Sequence, residues 1–180
     1  MKKIMVIGGI FLMQSFAVHS QQPSPPQLTI EELEAFPFES EEERVAISEL
    51  SVMQEFALDS QRKEIEDLVA RKLGIISLKG DKSDLEVLQL LLEKGALRRD
   101  DVRGWQSLGI VFGDILVMEH GLTWISYQDD LAKSKALRWQ KTDNYVFPVT
   151  FFSKRVQFKE NFEMLDAYDE ISKKIISFKN

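Results

Sequence analysis

Apolar side chains recur every three or four residues along much of the chain, which is the spacing of one face of an α-helix. A long helical region is predicted to begin at a capping box of Ser40 and Glu43 and to end at Gly74. The pair Asp59-Ser60 leaves open whether this region is one helix or two. Its apolar positions are Ala46, Leu50, Met53, Ala57, Ile65, Leu68, Val69 and Leu73.

Three further helices are predicted from the same spacing and from their end signals, over roughly 83–95, 100–120 and 162–178. Ser83 and Glu86 form a capping box at the start of the first of these helices. Asp100 or Asp101 caps the second one, and Gly121 is expected to end it.

The pattern changes between residues 122 and 149, where short aromatic and β-branched stretches alternate with polar turns. Residues 122–127, 136–139 and 145–149 are predicted to form a three-stranded antiparallel meander. Pro148 suits an edge or terminal position of the last strand, because proline donates no hydrogen bond to a sheet. The expected class is therefore α+β, with helices packed on this small sheet and a helix at the C-terminus.

Two glycines, Gly109 and Gly113, lie one turn apart on one face of the helix predicted over 100–120. Each costs a helix interior about 1 kcal/mol relative to alanine, so a compensating contact is expected at the notch that they form. Trp124 or Trp139 from the following strands, or another backbone segment, can fill this notch. The functional alternative is a ligand that approaches the exposed helix backbone.

Asp114 follows the second glycine, and a buried aspartate needs a partner. Arg138 on the second predicted strand is the expected partner, in a bidentate ion pair. The alternative is a ligand-binding or catalytic role for Asp114. Glu119, five residues further along the helix, points away from Asp114, which disfavours a paired-carboxylate glycosidase. Gln106, one turn before the notch, presents its amide either to the notch or to solvent.

Other reactive groups are few. Lys154 and Arg155 are expected to be solvated or to pair with acidic residues of neighbouring helices, and the alternative is contact with an anion or an acidic partner.

His120 is the one histidine after residue 20, and it stands at a helix C-terminus, where positive charge is favourable. The sequence has no GxGxxG, P-loop, HExxH or GxSxG motif, so no catalytic residue, cofactor or metal site is assigned.

The first twenty residues have the three parts of a secretory signal peptide. Lys2 and Lys3 are basic, and Ile4–Met13 is an apolar run too short to span a membrane. Small residues precede a cleavage point that is expected after Ser20, or alternatively after Ala17. A buried N-terminal helix or strand is the structural alternative. Cleavage predicts a periplasmic or secreted protein without a membrane anchor.

Residues 21–39 are expected to form a proline-containing leader with one short helix, and residues 40–180 a single α+β domain. In the leader, Thr29 and Glu32 form a capping box, and Pro37 ends the helix. A chain of 180 residues is long enough for one core.

The net charge of −6 becomes −8 once residues 1–20, with two lysines and no acids, are removed. An acidic protein is a poor partner for nucleic acid or an anionic membrane. The absence of cysteine excludes disulfides and thiol catalysis, so the stability of the fold rests on packing.

Four segments resemble, in order and spacing, a bacterial domain of unknown function, family 3806. They are LQLLLEKGAL, LGIVFGDILVMEHGLTW, ALRW and VFPVTFFSKRV, within residues 64–166. The chain departs from the family pattern at Phe151-Phe152 and in a short loop over 129–135 that lacks glycine. The resemblance implies a fold and a soluble bacterial protein, and no activity. The family pattern falls on Gly109, Gly113, Asp114, Gly121, Trp124, Arg138, Pro148, Ser153, Lys154 and Arg155.

Export, acidity and the lack of catalytic motifs together predict a protein of the cell envelope that binds a protein partner and catalyses no reaction. One form of this hypothesis is an inhibitor- or immunity-like protein that covers a basic toxin or enzyme. The alternative is a small hydrolase with a carboxylate site near Asp114 and Arg138. A filled notch with an exposed apolar patch favours binding, whereas a deep polar cavity with convergent acids favours the enzyme.

Overall fold

The computed structural model describes residues 45–179, which contain five helices and a four-stranded sheet. The strands lie side by side in chain order, each antiparallel to the next. The predicted α+β class is confirmed. The elements are β1 (Ala46–Ser48), α1 (Val52–Leu73), α2 (Asp84–Glu93), α3 (Val102–His120), β2 (Leu122–Gln128), β3 (Lys133–Trp139), β4 (Tyr145–Val146), α4 (Pro148–Gln157) and α5 (Met164–Ser177).

Some of the predictions from sequence fall on residues 1–44, outside the described part of the chain. They are the signal peptide, the proline-containing leader, and the capping boxes of Thr29 with Glu32 and of Ser40 with Glu43.

The sheet has one strand more than predicted. β1 pairs with β2, with Ile47 opposite Tyr127. A three-residue strand is too short to show the period-two alternation by which strands are recognised, and its neighbours continue a helical spacing. That spacing is misleading, because Ala46 lies in β1 and the long helix begins only at Val52, well after Ser40.

α1 is a single helix that continues through Asp59 and Ser60. It begins at a capping box in which the Ser51 hydroxyl accepts the backbone N–H of Gln54 and the Gln54 side chain accepts the backbone N–H of Ser51. Gly74, with a left-handed φ of 72°, ends it as predicted. The residues that it buries are Leu58, Gln61, Ile65 and Val69.

α2 begins at Asp84 without the predicted capping box. Ser83 makes no capping hydrogen bond, and its hydroxyl donates instead to Asp81 at 2.5 Å. The carboxylate of Asp84 turns back and accepts two backbone N–H groups of the preceding loop, at 2.7 and 2.6 Å. The prediction that Ser83 and Glu86 form a capping box is therefore wrong.

Pro148 begins a helix and does not lie in a strand. β4 ends at Val146, and Pro148 occupies the first turn of α4, where a missing N–H leaves no hydrogen bond unmade. The predicted strand over 145–149 is thus correct only for its first two residues, and α4 was not predicted. Its sequence begins PVTFF, and β-branched and aromatic residues favour strands.

α3 is the central helix, because α1, α4 and β2 pack around it, with α2 and α5 in lighter contact. Of the two candidate caps, Asp101 is the one that binds, accepting the backbone N–H of Gly104 at 2.9 Å. Gly121 ends the helix, as predicted. No helix in the range 45–179 is long and apolar enough to cross a membrane. The buried residues of α3 are Gly104, Trp105, Ser107, Leu108, Gly109, Ile110, Val111, Phe112, Gly113, Ile115 and Leu116.

Candidate functional site

The glycine notch of α3, defined by Gly109 and Gly113, is filled by other residues of the same chain. A methyl group on Gly113 would lie 2.6 Å from Cζ2 of Trp124 and 2.9 Å from Cγ of Pro148. A methyl group on Gly109 would overlap the carbonyl oxygen of Pro148. Both expected kinds of filling therefore occur together, an indole at Gly113 and a backbone segment at Gly109. The notch leaves no opening for a ligand or for the amide of Gln106, which is half-buried.

Asp114 is paired with Arg62 of α1. Nε of Arg62 lies 2.6 Å from Oδ2 of Asp114, and Nη2 lies 2.8 Å from Oδ1. The indole Nε1 of Trp124 donates to the same Oδ1 at 2.9 Å. The hydrogen bond to Asp114 raises the pKa of the Arg62 guanidinium above its ordinary value, so the arginine remains charged. The remaining Nη1 of Arg62 binds Asp59 at 2.6 Å.

Arg138 lies on the other face of the sheet. It pairs with Thr123 of β2, the neighbour of Trp124, and successive residues of a strand point to opposite faces. Nε of Arg138 donates to the carbonyl oxygen of Thr142 at 2.6 Å, which holds the turn between β3 and β4. The predicted ion pair of Asp114 with Arg138 is therefore wrong, and these two residues form no shared carboxylate site.

Arg155 joins α4 to α5. Its Nη2 lies 2.6 Å from Oε2 of Glu170, and its Nε lies 3.8 Å from Oε2 of Glu160. The guanidinium carbon is 3.6 Å from the centre of the Phe151 ring. Arg155 thus pairs with acidic residues, whereas Lys154 is exposed.

His120 ends α3 and packs against α5. Its Nε2 lies 2.9 Å from the hydroxyl oxygen of Ser172, and its ring stacks on Tyr168 with 5.9 Å between the centroids. Burial lowers the pKa of the imidazole, and the charge of Lys179 acts in the same direction. The neutral ring is therefore favoured. Over residues 45–179, His, Asp and Glu side chains nowhere gather in a group of three or more that could hold a metal ion.

The first two turns of α1 expose large apolar side chains. The exposed fractions of Val52, Met53 and Phe56 are 81%, 78% and 71%. Met53 was expected on the buried face of its helix, and that prediction is wrong because α1 buries the residues on the opposite side. The sequence offered one signal for this surface: Val52 and Phe56, four residues apart, stand outside the predicted apolar face.

An acidic groove of about 480 Å³ runs beside this apolar surface. Carboxylates dominate its polar lining, and β2 provides one of its walls. The residues that line it include Glu49, Glu55, Asp59, Arg62, Thr123 and Trp124.

A second groove, of about 540 Å³, lies between α2 and α5. Leu90 and Leu165, with 45% and 52% of their surface exposed, form its apolar part. Its charged residues are Lys82, Glu86 and Glu163, so it carries both signs of charge.

Residues 84–168 match the sequence model of a domain of unknown function, DUF3806. This part of the chain is similar to DUF3806, as the sequence analysis expects, and is called the DUF3806 segment below. The matched segment runs from the start of α2 into α5 and includes the glycine notch, Asp114 and Trp124. Arg62 lies outside the DUF3806 segment, so the partner of Asp114 comes from a helix that the family match does not cover.

One solved structure has a similar fold, a crystal structure of a protein from Bacteroides thetaiotaomicron VPI-5482. The TM-score is 0.65 at 19% sequence identity, over 74% of this chain and 49% of that one. The present chain thus spans about half the length of the Bacteroides protein, and the likeness shows the fold alone. The search of curated proteins gave no match.

Gly109→Ala should destabilise the protein more than Gly113→Ala. The added methyl group meets a backbone carbonyl at Gly109 but side-chain ring atoms at Gly113. We expect Gly109→Ala to lower the free energy of unfolding by about 2 kcal/mol, although alanine favours the helix by about 1 kcal/mol. Urea denaturation followed by circular dichroism measures this, with the exposed Ser60→Ala as the control. Full stability of Gly109→Ala would contradict the close packing.

Asp114→Ala leaves three donors of Arg62 and Trp124 without their acceptor. Since Arg62 and Asp114 are 27% and 26% exposed, we expect a loss of about 2 kcal/mol, less than for a fully buried pair. A double-mutant cycle with Arg62→Ala should give a coupling energy of about 1 kcal/mol. The control is Asp100→Ala, which breaks an exposed pair with Arg98 and should leave the stability nearly unchanged. Additive effects of the two substitutions would show that Arg62 is not the partner.

Stability should fall as the pH drops from about 7 to about 5, in part because of His120. The imidazole binds its proton more weakly in the folded protein than in the unfolded chain, whose ordinary pKa is 6.5. Its contribution is complete above that value and is lost as the pH falls through the folded pKa. Melting temperatures across this range should therefore decline less steeply for His120→Gln. Parallel curves for the two proteins would contradict this.

Proposed function

We propose that the protein is an exported, non-enzymatic binding module of the bacterial cell envelope that acts on a protein partner. The observation that carries this proposal is the exposed apolar surface of α1. Val52, Met53 and Phe56 present more than two thirds of their surface to water, side by side on two turns of one helix. A contiguous exposed apolar patch is typical of a surface that contacts another molecule, such as a protein partner.

The contacts of Asp114 support binding over catalysis. A general base or nucleophile needs a carboxylate oxygen that is free to reach a substrate. Both oxygens of Asp114 accept hydrogen bonds from Arg62 or Trp124, and the adjoining notch is filled. These contacts give Asp114 a structural role in joining α1, α3 and β2.

The N-terminal sequence supports export. Lys2 and Lys3, the apolar run Ile4–Met13 and the small residues before Ser20 have the order of a signal peptide. The charge of −8 after cleavage favours a basic partner. An inhibitor- or immunity-like protein that covers a basic enzyme or toxin is the form of binding that this charge favours.

Cross-linking in cells tests the proposal. The full chain is expressed in its own bacterium with a photoreactive phenylalanine analogue in place of Phe56 and, as the control, of Leu131. Leu131 is 94% exposed on the loop between β2 and β3, far from α1 in sequence. We expect protein adducts in the periplasmic or secreted fraction from position 56 and not from position 131, on a chain whose N-terminus is Gln21. Cleavage after Ala17 would give Val18 instead.

Two results would contradict the proposal. Recovery of the uncleaved chain in the cytoplasm would contradict the proposed export. Adducts that form equally at positions 56 and 131, or at neither, would contradict the proposed binding surface on α1.

A further inference from the structure

We infer that the partner contacts α1 through a cationic amphipathic segment, held by a stripe of alternating apolar and acidic side chains and by the acidic groove beside it. We call Val52, Glu55, Phe56 and Asp59 the α1 stripe. This inference rests on the proposed function and adds to it the acidic groove as part of the contact and the amphipathic form of the partner's segment.

The spacing of the α1 stripe makes it a continuous surface. Its residues stand at i, i+3, i+4 and i+7, which are neighbours along one side of a helix. All four are exposed. A partner helix that carries apolar and basic residues at the same spacing can place an apolar side chain on Val52 and Phe56 and a basic one at Glu55.

Two carboxylates of this surface, those of Glu49 and Glu55, keep their negative charge available. Within residues 45–179, the ion pairs formed at under 4 Å include neither Glu49 nor Glu55. Among the described residues, Arg62 is the one cation that lines the groove; its Nε and Nη2 bind Asp114, and its Nη1 binds Asp59. The surface therefore attracts a cation that comes from outside the domain.

Other occupants fit this surface less well. An anionic membrane is repelled by the carboxylates of the α1 stripe, and a second copy of the chain would bring the same acids face to face. The groove between α2 and α5 is larger, but Lys82 and Glu86 give it both signs of charge, so it selects no charged partner.

A designed peptide tests the inference on the protein purified after expression of the full chain. The probe is a helical peptide of leucine and lysine of about five turns, with leucine on one face. A peptide of the same composition in scrambled order and one with glutamate in place of lysine serve as comparisons. Isothermal titration calorimetry gives the affinities at low and high salt.

We expect the leucine–lysine helix to bind more tightly than both comparison peptides and to weaken as salt rises, since screening weakens charge pairing. Phe56→Ser should weaken binding by about tenfold, because a large apolar contact is lost. Leu131→Ser is the matched control: it removes an apolar side chain that is 94% exposed, against 71% for Phe56, and should leave the affinity unchanged.

A second pair of variants separates the local charge from the net charge. Glu49→Lys with Glu55→Lys should weaken binding by about tenfold or more. Glu86→Lys with Glu93→Lys changes the net charge by the same amount on α2, where both residues are exposed, and should leave the affinity within about twofold. Equal losses in the two double variants would show attraction to the acidic protein as a whole and would overturn the inference.

Each remaining outcome also supports or overturns the inference. Tighter binding of the glutamate peptide, or binding of none of the three peptides, overturns the inference that the partner is cationic. If cross-linking at position 56 nevertheless succeeds, the binding module stands and only the chemistry of its partner is wrong. Binding to vesicles of anionic lipid in preference to the peptide would assign the surface to a membrane and would also overturn the inference.

Discussion

The close approach of α4 to α3 is the contact on which the remaining structure depends. The first turn of α4 lies against the backbone at Gly109, and any side chain there would push the two helices apart. This contact leaves space at Gly113 for the indole of Trp124, which reaches Asp114 with its N–H. Two absent side chains thus determine where β2 and α4 meet the central helix.

From Asp114 the same chain of contacts reaches α1. The guanidinium of Arg62 donates hydrogen bonds to both carboxylate oxygens of Asp114, and it also binds Asp59 on its own helix. The position of α1, and with it the α1 stripe, is therefore coupled to the notch through one carboxylate. The DUF3806 segment supplies Asp114, while α1 precedes that segment. The proposed binding surface accordingly lies on a part of the chain that the family match does not cover.

Much of this arrangement is predictable from the sequence, because its signals are local. Gly74 and Gly121 mark helix ends, and the spacing of Gly109 and Gly113 implies a close neighbour, either a large aromatic side chain or a backbone segment. Features that depend on distant contacts were missed. Arg62, the partner of Asp114, is 52 residues away in the sequence. The register of the β-sheet places Arg138 opposite Thr123, on the face of the sheet that points away from Asp114. One signal was available, since Arg62 stands four residues after the buried Leu58, next to the apolar face of α1.

Trp124 has an unusual position, because it is both a filler of the core and a wall of the surface groove. One edge of its indole lies against the central helix, and the ring also borders the groove on the side of α1. The fluorescence of an indole changes when the polarity around it changes, so the fluorescence of Trp124 depends on what occupies the groove. Of the three tryptophans, Trp124 is the one that lines this groove, so a change of intrinsic fluorescence on occupancy of the groove is expected from this residue.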